Sequence, residues 1–171
     1  DLKYRPESIS ATIALLKHIG LSYTTNLEDR VCCGGPLNKV GFTSVAKDLA
    51  KKNINLINDS GAEFIIATCP GCLQTLKITY EEDFPELGNI HNENNIMHTI
   101  DFFMKKIRED KLNLVKPLNK TIVYHDPCIL SRSFSQVNNY EKTRRLLELI
   151  PGIKVIEPYL HGKETQCCGM G

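Results

Sequence analysis

A Cys-Cys-Gly tripeptide occurs twice in this 171-residue chain, in the same setting each time, and this repetition constrains the fold more than any other feature. The first copy follows Leu15-Leu16-Lys17-His18-Ile19-Gly20, a short apolar segment and a polar loop, and reads Cys32-Cys33-Gly34-Gly35. The second follows Leu146-Leu147-Glu148-Leu149-Ile150-Pro151-Gly152, again with a short apolar segment and a polar loop, and reads Cys167-Cys168-Gly169. A helix, a glycine stop, a strand and a cysteine turn are thus written twice. The copies are incomplete in complementary ways. The first pair is followed, after 35 residues, by Cys69-Pro70-Gly71-Cys72, and the second is preceded, across 38 residues, by Cys128. Overlaid, they give one full unit: a single Cys, a Cys pair, then a Cys-x-x-Cys. On this symmetry the first unit's leading cysteine belongs a few residues before Asp1. The second unit's Cys-x-x-Cys belongs beyond Gly171. The expected chain is therefore a piece of a longer one, with units over 1–112 and 113–171 and the best boundary in the stretch 110–120.

The surrounding pattern predicts helices alternating with strands. Residues 6–19 read as a helix, with Pro6 at a first-turn position and Ile9, Ile13, Leu16 and Ile19 on one face. Residues 21–24 read as a strand. Thr43 is expected to cap a helix over 44–59 with Val45, Leu49, Leu56 and Ile57 inward. Residues 63–68 form a continuous apolar strand that runs into Cys69, and a further helix is expected from Leu73. Residues 80–95 read as a surface loop. Ile96, Met97, Ile100, Phe103, Met104 and Ile107 predict an amphipathic helix. Residues 121–124 read as another buried strand, ending at His125-Asp126-Pro127-Cys128. A helix near 140–150 and a short strand over 153–156 complete the pattern. The expected fold class is α/β: a tandem repeat of two related cysteine-rich units with mostly parallel sheets, the second cut short.

Seven cysteines is an odd number, and adjacent pairs suit a disulfide framework poorly. Without a secretory leader in view, the grouping points to a reducing compartment and to metal or redox chemistry, so the expected location is cytoplasmic. A net charge of +1 argues against nucleic acid as a partner. No apolar run reaches the roughly 18 residues of a membrane span.

The segments Cys32-Cys33-Gly34-Gly35-Pro36-Leu37, Cys69-Pro70-Gly71-Cys72, Tyr124-His125-Asp126-Pro127-Cys128 and Cys167-Cys168-Gly169 together resemble the cysteine-rich CCG domain. The chain is similar to the tandem CCG region of heterodisulfide reductase catalytic subunits and of thiol:fumarate reductase iron–sulfur subunits. The same region occurs in iron–sulfur subunits of glycolate, lactate and glycerol-3-phosphate oxidation systems. The resemblance implies an oxidoreductase subunit with [4Fe-4S] clusters, noncubane in type, each held by five cysteines in a full unit. Carried over residue by residue, it implies that Cys32, Cys33, Cys69 and Cys72 hold one cluster. Cys128, Cys167 and Cys168 then belong to a second. It also implies a partner subunit carrying a flavin or further clusters, and a substrate that is a small thiol or disulfide or, in the other members, a hydroxy acid. A peripheral attachment to the membrane would run through such a partner.

The chemistry suits the residues. Clusters take thiolates. A glycine after a cysteine pair lets the backbone approach closely, and N–H groups there can bond to sulfur. Cys69 and Cys128 both follow strands, so the sulfurs are expected at the carboxyl ends of the sheet. Plainer readings stand beside this one. Cys69-x-x-Cys72 also reads as a thioredoxin-type redox pair, the cysteines as a structural zinc site, or all seven as core thiols. His125 reads either as the proton donor to a leaving thiolate or as a turn residue bonded to backbone. Asp126-Pro127 reads as turn chemistry. His91, His98 and His161 read as solvated, and Lys105-Lys106 and Arg144-Arg145 as wet helix faces.

Overall fold

A computed structural model describes residues 6–25, 31–90, 95–133 and 139–169. The chain separates into two compact units, residues 1–99 and 100–171.

In the first unit, α1 (Pro6–His18) forms where the apolar period predicts it. It is closed by Gly20 at φ 72°, with Leu21 N–H bonded to Leu16 O at 3.0 Å. Residues 21–24, expected as a strand, are coil outside the sheet, which among the described residues of this unit consists of β1 (Ile65–Ala67) and β2 (Ile96–His98). A short α2 (Gly35–Lys39) begins directly after the cysteine turn and leads into α3 (Thr43–Asp59). Thr43 is not the cap of α3. It is the first helical residue, Phe42 precedes it, and no side chain caps this end. The inward stripe is also shifted from the expected one. Ala46, Ala50 and Ile54, spaced four apart, are buried, while Val45 is 47% exposed. The small residues are required because the cysteine turn lies on this helix. A Cβ added to Gly34 would stand 3.2 Å from the Ala46 carbonyl oxygen and 3.3 Å from its Cα.

The strands β1 and β2 are parallel, with Ile65 opposite Ile96 and Ala67 opposite His98. β1 leads through Cys69 into a continuous helical run: α4 (Pro70–Gln74), a π-turn (Thr75–Thr79) and α5 (Tyr80–Asp83). The helix therefore starts at Pro70 instead of Leu73. The expected surface loop 80–95 likewise contains α5 and buries Tyr80, Phe84 and Ile90, which join Leu16, Leu73 and Ile96 among the buried apolar residues of this unit. The apolar period places residues 96–97 at the opening of an amphipathic helix. They instead alternate in burial as a strand, and the helix, α6, runs from Thr99 to Arg108. The 3.6-residue pattern misleads here because Ile96 is buried in either reading.

In the second unit, β3 (Lys120–Val123) and β4 (Ile153–Ile156) form a parallel pair with Ile122 opposite Val155. A second π-turn (Ile129–Ser133) follows Cys128, and α7 (Asn139–Glu148) precedes β4. β3 is not the fully buried strand that its composition predicts. Val123 and its partner Ile156 are both exposed, while Ile122 and Val155 point the other way and are half-buried. The architecture is thus a mixed α/β chain with short parallel sheets. Among the described residues no helix is long and apolar enough to cross a membrane.

Ala50 is fully buried on the face of α3 that carries the cysteine turn. Ala50→Leu is therefore expected to destabilise the first unit by about 1–3 kcal/mol through overpacking, measured by urea denaturation.

Candidate metal centre

None of the seven cysteines is in a disulfide. The two Cys-Cys-Gly turns are built alike. Gly34 sits at φ 80° and donates its N–H to Cys32 Sγ at 3.4 Å, and Gly169 sits at φ 77° and donates to Cys167 Sγ at the same 3.4 Å. Only glycine adopts this backbone readily, and the turn aims an N–H at sulfur. The repeat seen in the sequence is thus repeated in geometry.

In the first unit the turn is clamped from behind. Asn53 of α3 donates to Cys32 O at 3.0 Å and to Tyr80 Oη at 3.0 Å, and the Tyr80 hydroxyl donates to Cys33 O at 2.8 Å. Burial raises the Tyr80 pKa, so its proton stays in place to donate. In front of the turn the thiols meet. Cys69 caps α4 and Cys72 lies in its first turn. The Cys72 thiol lies near enough to those of Cys33 and Cys69 to act on both. It is the main force holding Cys33 down to about 5, against burial and with help from the Gly35 N–H, the Thr75 hydroxyl and the Cys32 thiol. It likewise holds Cys69 down to about 6, against burial and with help from the N–H groups of Cys72 and Gly71. Cys72 is driven far upward by Cys33 first and Cys69 second.

Cys33, Cys69 and Cys72 act on one another's protonation. They do not form a closed cage: among the described residues no three Cys, His, Asp or Glu side chains converge tightly enough to enclose a single ion. Cys33 and Cys69 are already poised as thiolates, and their sulfurs receive backbone N–H groups from Gly35, Gly71 and Cys72. This donor set fits a soft, thiolate-held group such as an iron–sulfur cluster.

The second unit is organised differently. Asp126, expected as turn chemistry, is fully buried and takes a bidentate pair from Arg144, with Nη1–Oδ1 and Nη2–Oδ2 both 2.8 Å. Arg144 also grips Glu157 through Nε at 2.6 Å and Nη2 at 2.7 Å. Its guanidinium lies 5.8 Å from the Tyr124 ring centre and 6.0 Å from that of Tyr140. The residue read as part of a wet face thus ties together the carboxyl ends of β3 and β4. Gly162 N–H bonds to Asp126 Oδ2 at 2.7 Å, and the Thr165 hydroxyl bonds to Asp126 O at 3.0 Å. These bonds anchor the loop that leads to Cys167 on the loop that leads to Cys128. Cys128 is half-buried while Cys167 and Cys168 are exposed, and the three are not drawn into one set.

His125 is exposed on the turn after β3. Its buried neighbour Asp126 makes the interactions there. Two other expectations are corrected: His98 and Lys106 are buried, not solvated, because β2 and the apolar face of α6 carry them inward. His91 lies outside the described residues. His161 is exposed, with Nδ1 2.9 Å from Pro158 O. Sequence reasoning missed Asn53, Thr75, Tyr80 and Glu157. None has a spacing signal, since each reaches its partner through the fold.

Residues 3–77 and 122–171 match the family model for CCG, the cysteine-rich domain. Over 164 residues the chain is 35% identical to a subunit of the dihydromethanophenazine:CoB–CoM heterodisulfide reductase of Methanosarcina acetivorans, covering 94% of this chain and 38% of that protein. It is 35% identical to a subunit of the CoM/CoB fumarate reductase of Methanothermobacter marburgensis over 144 residues, or 84% of this chain and 26% of that one. It is 29% identical to an EtfAB:quinone oxidoreductase from Syntrophomonas wolfei over 161 residues, or 94% of this chain and 21% of the relative. The chain thus spans well under half the length of these relatives.

The Asp126–Arg144 pair sets a pH-dependent stability. Burial alone would raise the Asp126 carboxyl, but Arg144 and the Gly162 N–H more than reverse this and leave it below its ordinary value. Its contribution is complete above the unfolded carboxylate range near pH 4 and is lost as pH falls through the depressed native value. Arg144→Gln strands a buried carboxylate. It is expected to cost about 3–5 kcal/mol at neutral pH and to flatten the acid limb, as read by urea denaturation across a pH series.

Proposed function

The chain belongs to the CCG cysteine-rich domain family, and from that premise we propose that it is an iron–sulfur electron-transfer segment of a larger anaerobic oxidoreductase. The observation that carries this reading is the pair of matching Cys-Cys-Gly turns, each aiming a glycine N–H at the sulfur of its first cysteine, with Cys69 and Cys72 at the opening of α4 in the first unit. Cys32, Cys33, Cys69 and Cys72 hold a [4Fe-4S] cluster, of the noncubane type, in the first unit. Cys128, Cys167 and Cys168 contribute to a second, with ligands from outside this chain. A bound cluster supplies one-electron transfer at a potential tuned by hydrogen bonds to its sulfurs.

The chain's own residues do the rest. Gly34, Gly35, Gly71 and Cys72 present N–H groups to the sulfurs, and Asn53 and Tyr80 hold the cysteine turn in place. Electrons arrive from a partner subunit carrying a flavin or further clusters, and the substrate is a small thiol or its disulfide, by analogy with the heterodisulfide and CoM/CoB fumarate reductases. His125, exposed three residues before Cys128, supplies a proton to the leaving thiolate. Relay of electrons within a hydroxy-acid or quinone-coupled dehydrogenase is the second reading. The ungathered, exposed cysteines of the second unit favour it.

Iron and acid-labile sulfide, assayed on the full-length protein purified without oxygen, are expected in near-equal amounts. Cys33→Ser should lose the first unit's share of both, and Cys168→Ser only the second unit's share. A new low-temperature EPR signal on adding a disulfide marks the thiol/disulfide reading, and its absence with intact clusters marks the relay. Zinc without sulfide contradicts both. His125→Gln is expected to slow disulfide turnover by at least about 10²-fold with iron content unchanged.

A further inference from the structure

In the second unit, the segment that carries Cys128 and the loop that leads to Cys167 and Cys168 meet at one residue, Thr165. It is fully buried, although the two cysteines that follow it are exposed. Its hydroxyl donates to Asp126 O at 3.0 Å, two residues before Cys128. Its carbonyl accepts from Arg132 Nη2, four residues after Cys128. Thr165 is therefore held from both sides of one cysteine and stands two residues before another. The loop is built to deliver it. Gly162, at φ 57°, opens a single 3-10 turn over Gly162–Glu164, and Thr165 N–H closes it on Gly162 O at 3.3 Å. The Gly162 N–H bonds to Asp126 Oδ2 at 2.7 Å, and a Cβ on Gly162 would stand 3.3 Å from the Tyr140 ring. The turn is thus seated between α7 and Asp126. Arg132, itself exposed, adds a bond from Nε to Lys163 O at 3.2 Å. A guanidinium presents its donors in fixed directions, so the Lys163 and Thr165 carbonyls are held together against the turn that follows Cys128. Two residues of chain span at most about 7 Å. Cys128 and Cys167 therefore each stay within about that distance, Cα to Cα, of the two residues joined by the Asp126–Thr165 bond.

We propose that Thr165, locked by Arg132, is a positioning residue for the second cysteine set: it fixes the register of the Cys167–Cys168 turn against Cys128. Both residues act through the backbone of the loop. They hold the bases of the two cysteine segments and leave only the exposed tips to adjust. The inference rests on the cluster reading above and adds the residues that hold the second set. Residues that orient metal ligands from outside typically change metal affinity about 10–100-fold when replaced.

The test uses full-length protein prepared without oxygen, with iron and sulfide content and the rate of iron release to a ferrous chelator as readouts. The share of iron missing from Cys168→Ser identifies the second unit's iron. Thr165→Val keeps the shape of the side chain and removes its hydroxyl. It is expected to release that share about tenfold faster than wild type, with the first unit's share released at the wild-type rate. Thr165→Ser, which keeps the hydroxyl, is expected to restore the wild-type rate. Arg132→Met, at an exposed position, is expected to act like Thr165→Val with an unchanged circular dichroism spectrum. Should Thr165→Val unfold the protein, Arg132→Met decides. A folded Thr165→Val protein that releases iron like wild type, Val and Ser variants shifted alike, or an Arg132→Met protein that holds its second share as wild type does, each overturns the positioning role while leaving the cluster reading intact. A wild type without iron and sulfide, or one whose iron is unchanged by Cys168→Ser, overturns the cluster reading of the second unit and the inference with it.

Discussion

The glycine that closes each cysteine pair lies in the left-handed region, where its N–H meets the sulfur of the first cysteine at 3.4 Å in both units. Much of the first unit follows from making that turn possible. In the first unit this turn lies directly against the Ala46 backbone of α3. Larger residues there would lift the turn off the helix. Asn53, one turn further along, then falls under the Cys32 carbonyl. The small-residue stripe and the buried amide thus answer a requirement set by two cysteines and a glycine.

The two units meet the same need with different chemistry. The first holds its cysteine turn with neutral donors, the Asn53 amide and the Tyr80 hydroxyl. Its thiols shape one another's charge, Cys72 drawing Cys33 and Cys69 down and being itself pushed far upward by them. The second places a guanidinium at the ends of two strands, with Arg144 between Asp126 and Glu157. A buried ion pair contributes little net stability but is costly to break. It suits a place where two loops must keep one register while their tips remain exposed. The contrast gives the two cysteine sets different electrostatic surroundings: near the first lie thiolates and neutral donors, near the second a network of fixed charges.

Much of this was legible in the sequence. The repeat, the helices 6–18 and 43–59, the strands 65–67, 120–123 and 153–156, and the placement of Cys69 and Cys128 after strands all follow from apolar period and glycine position. What was illegible has physical causes. Residues 21–24 have the composition of a strand but lie outside the β1–β2 sheet formed among the described residues. Ile96 and Met97 fit a helical period and a strand equally, and the parallel pairing with β1 decides the matter. The π-turn leaves no mark in composition, because it is a change of one residue in register. Arg144 and Arg145 look identical in sequence, yet one is bound on two sides and the other faces solvent.

The central claim is that Cys33, Cys69 and Cys72 are ligands of one iron–sulfur cluster. Anomalous diffraction from crystals of the full-length protein, grown without oxygen and measured on both sides of the iron absorption edge, tests it most directly. The account predicts a compact group of iron peaks beside the sulfurs of these three cysteines. A single peak there that persists below the iron edge and rises only at the zinc edge, or iron located elsewhere with these sulfurs bare, would contradict it.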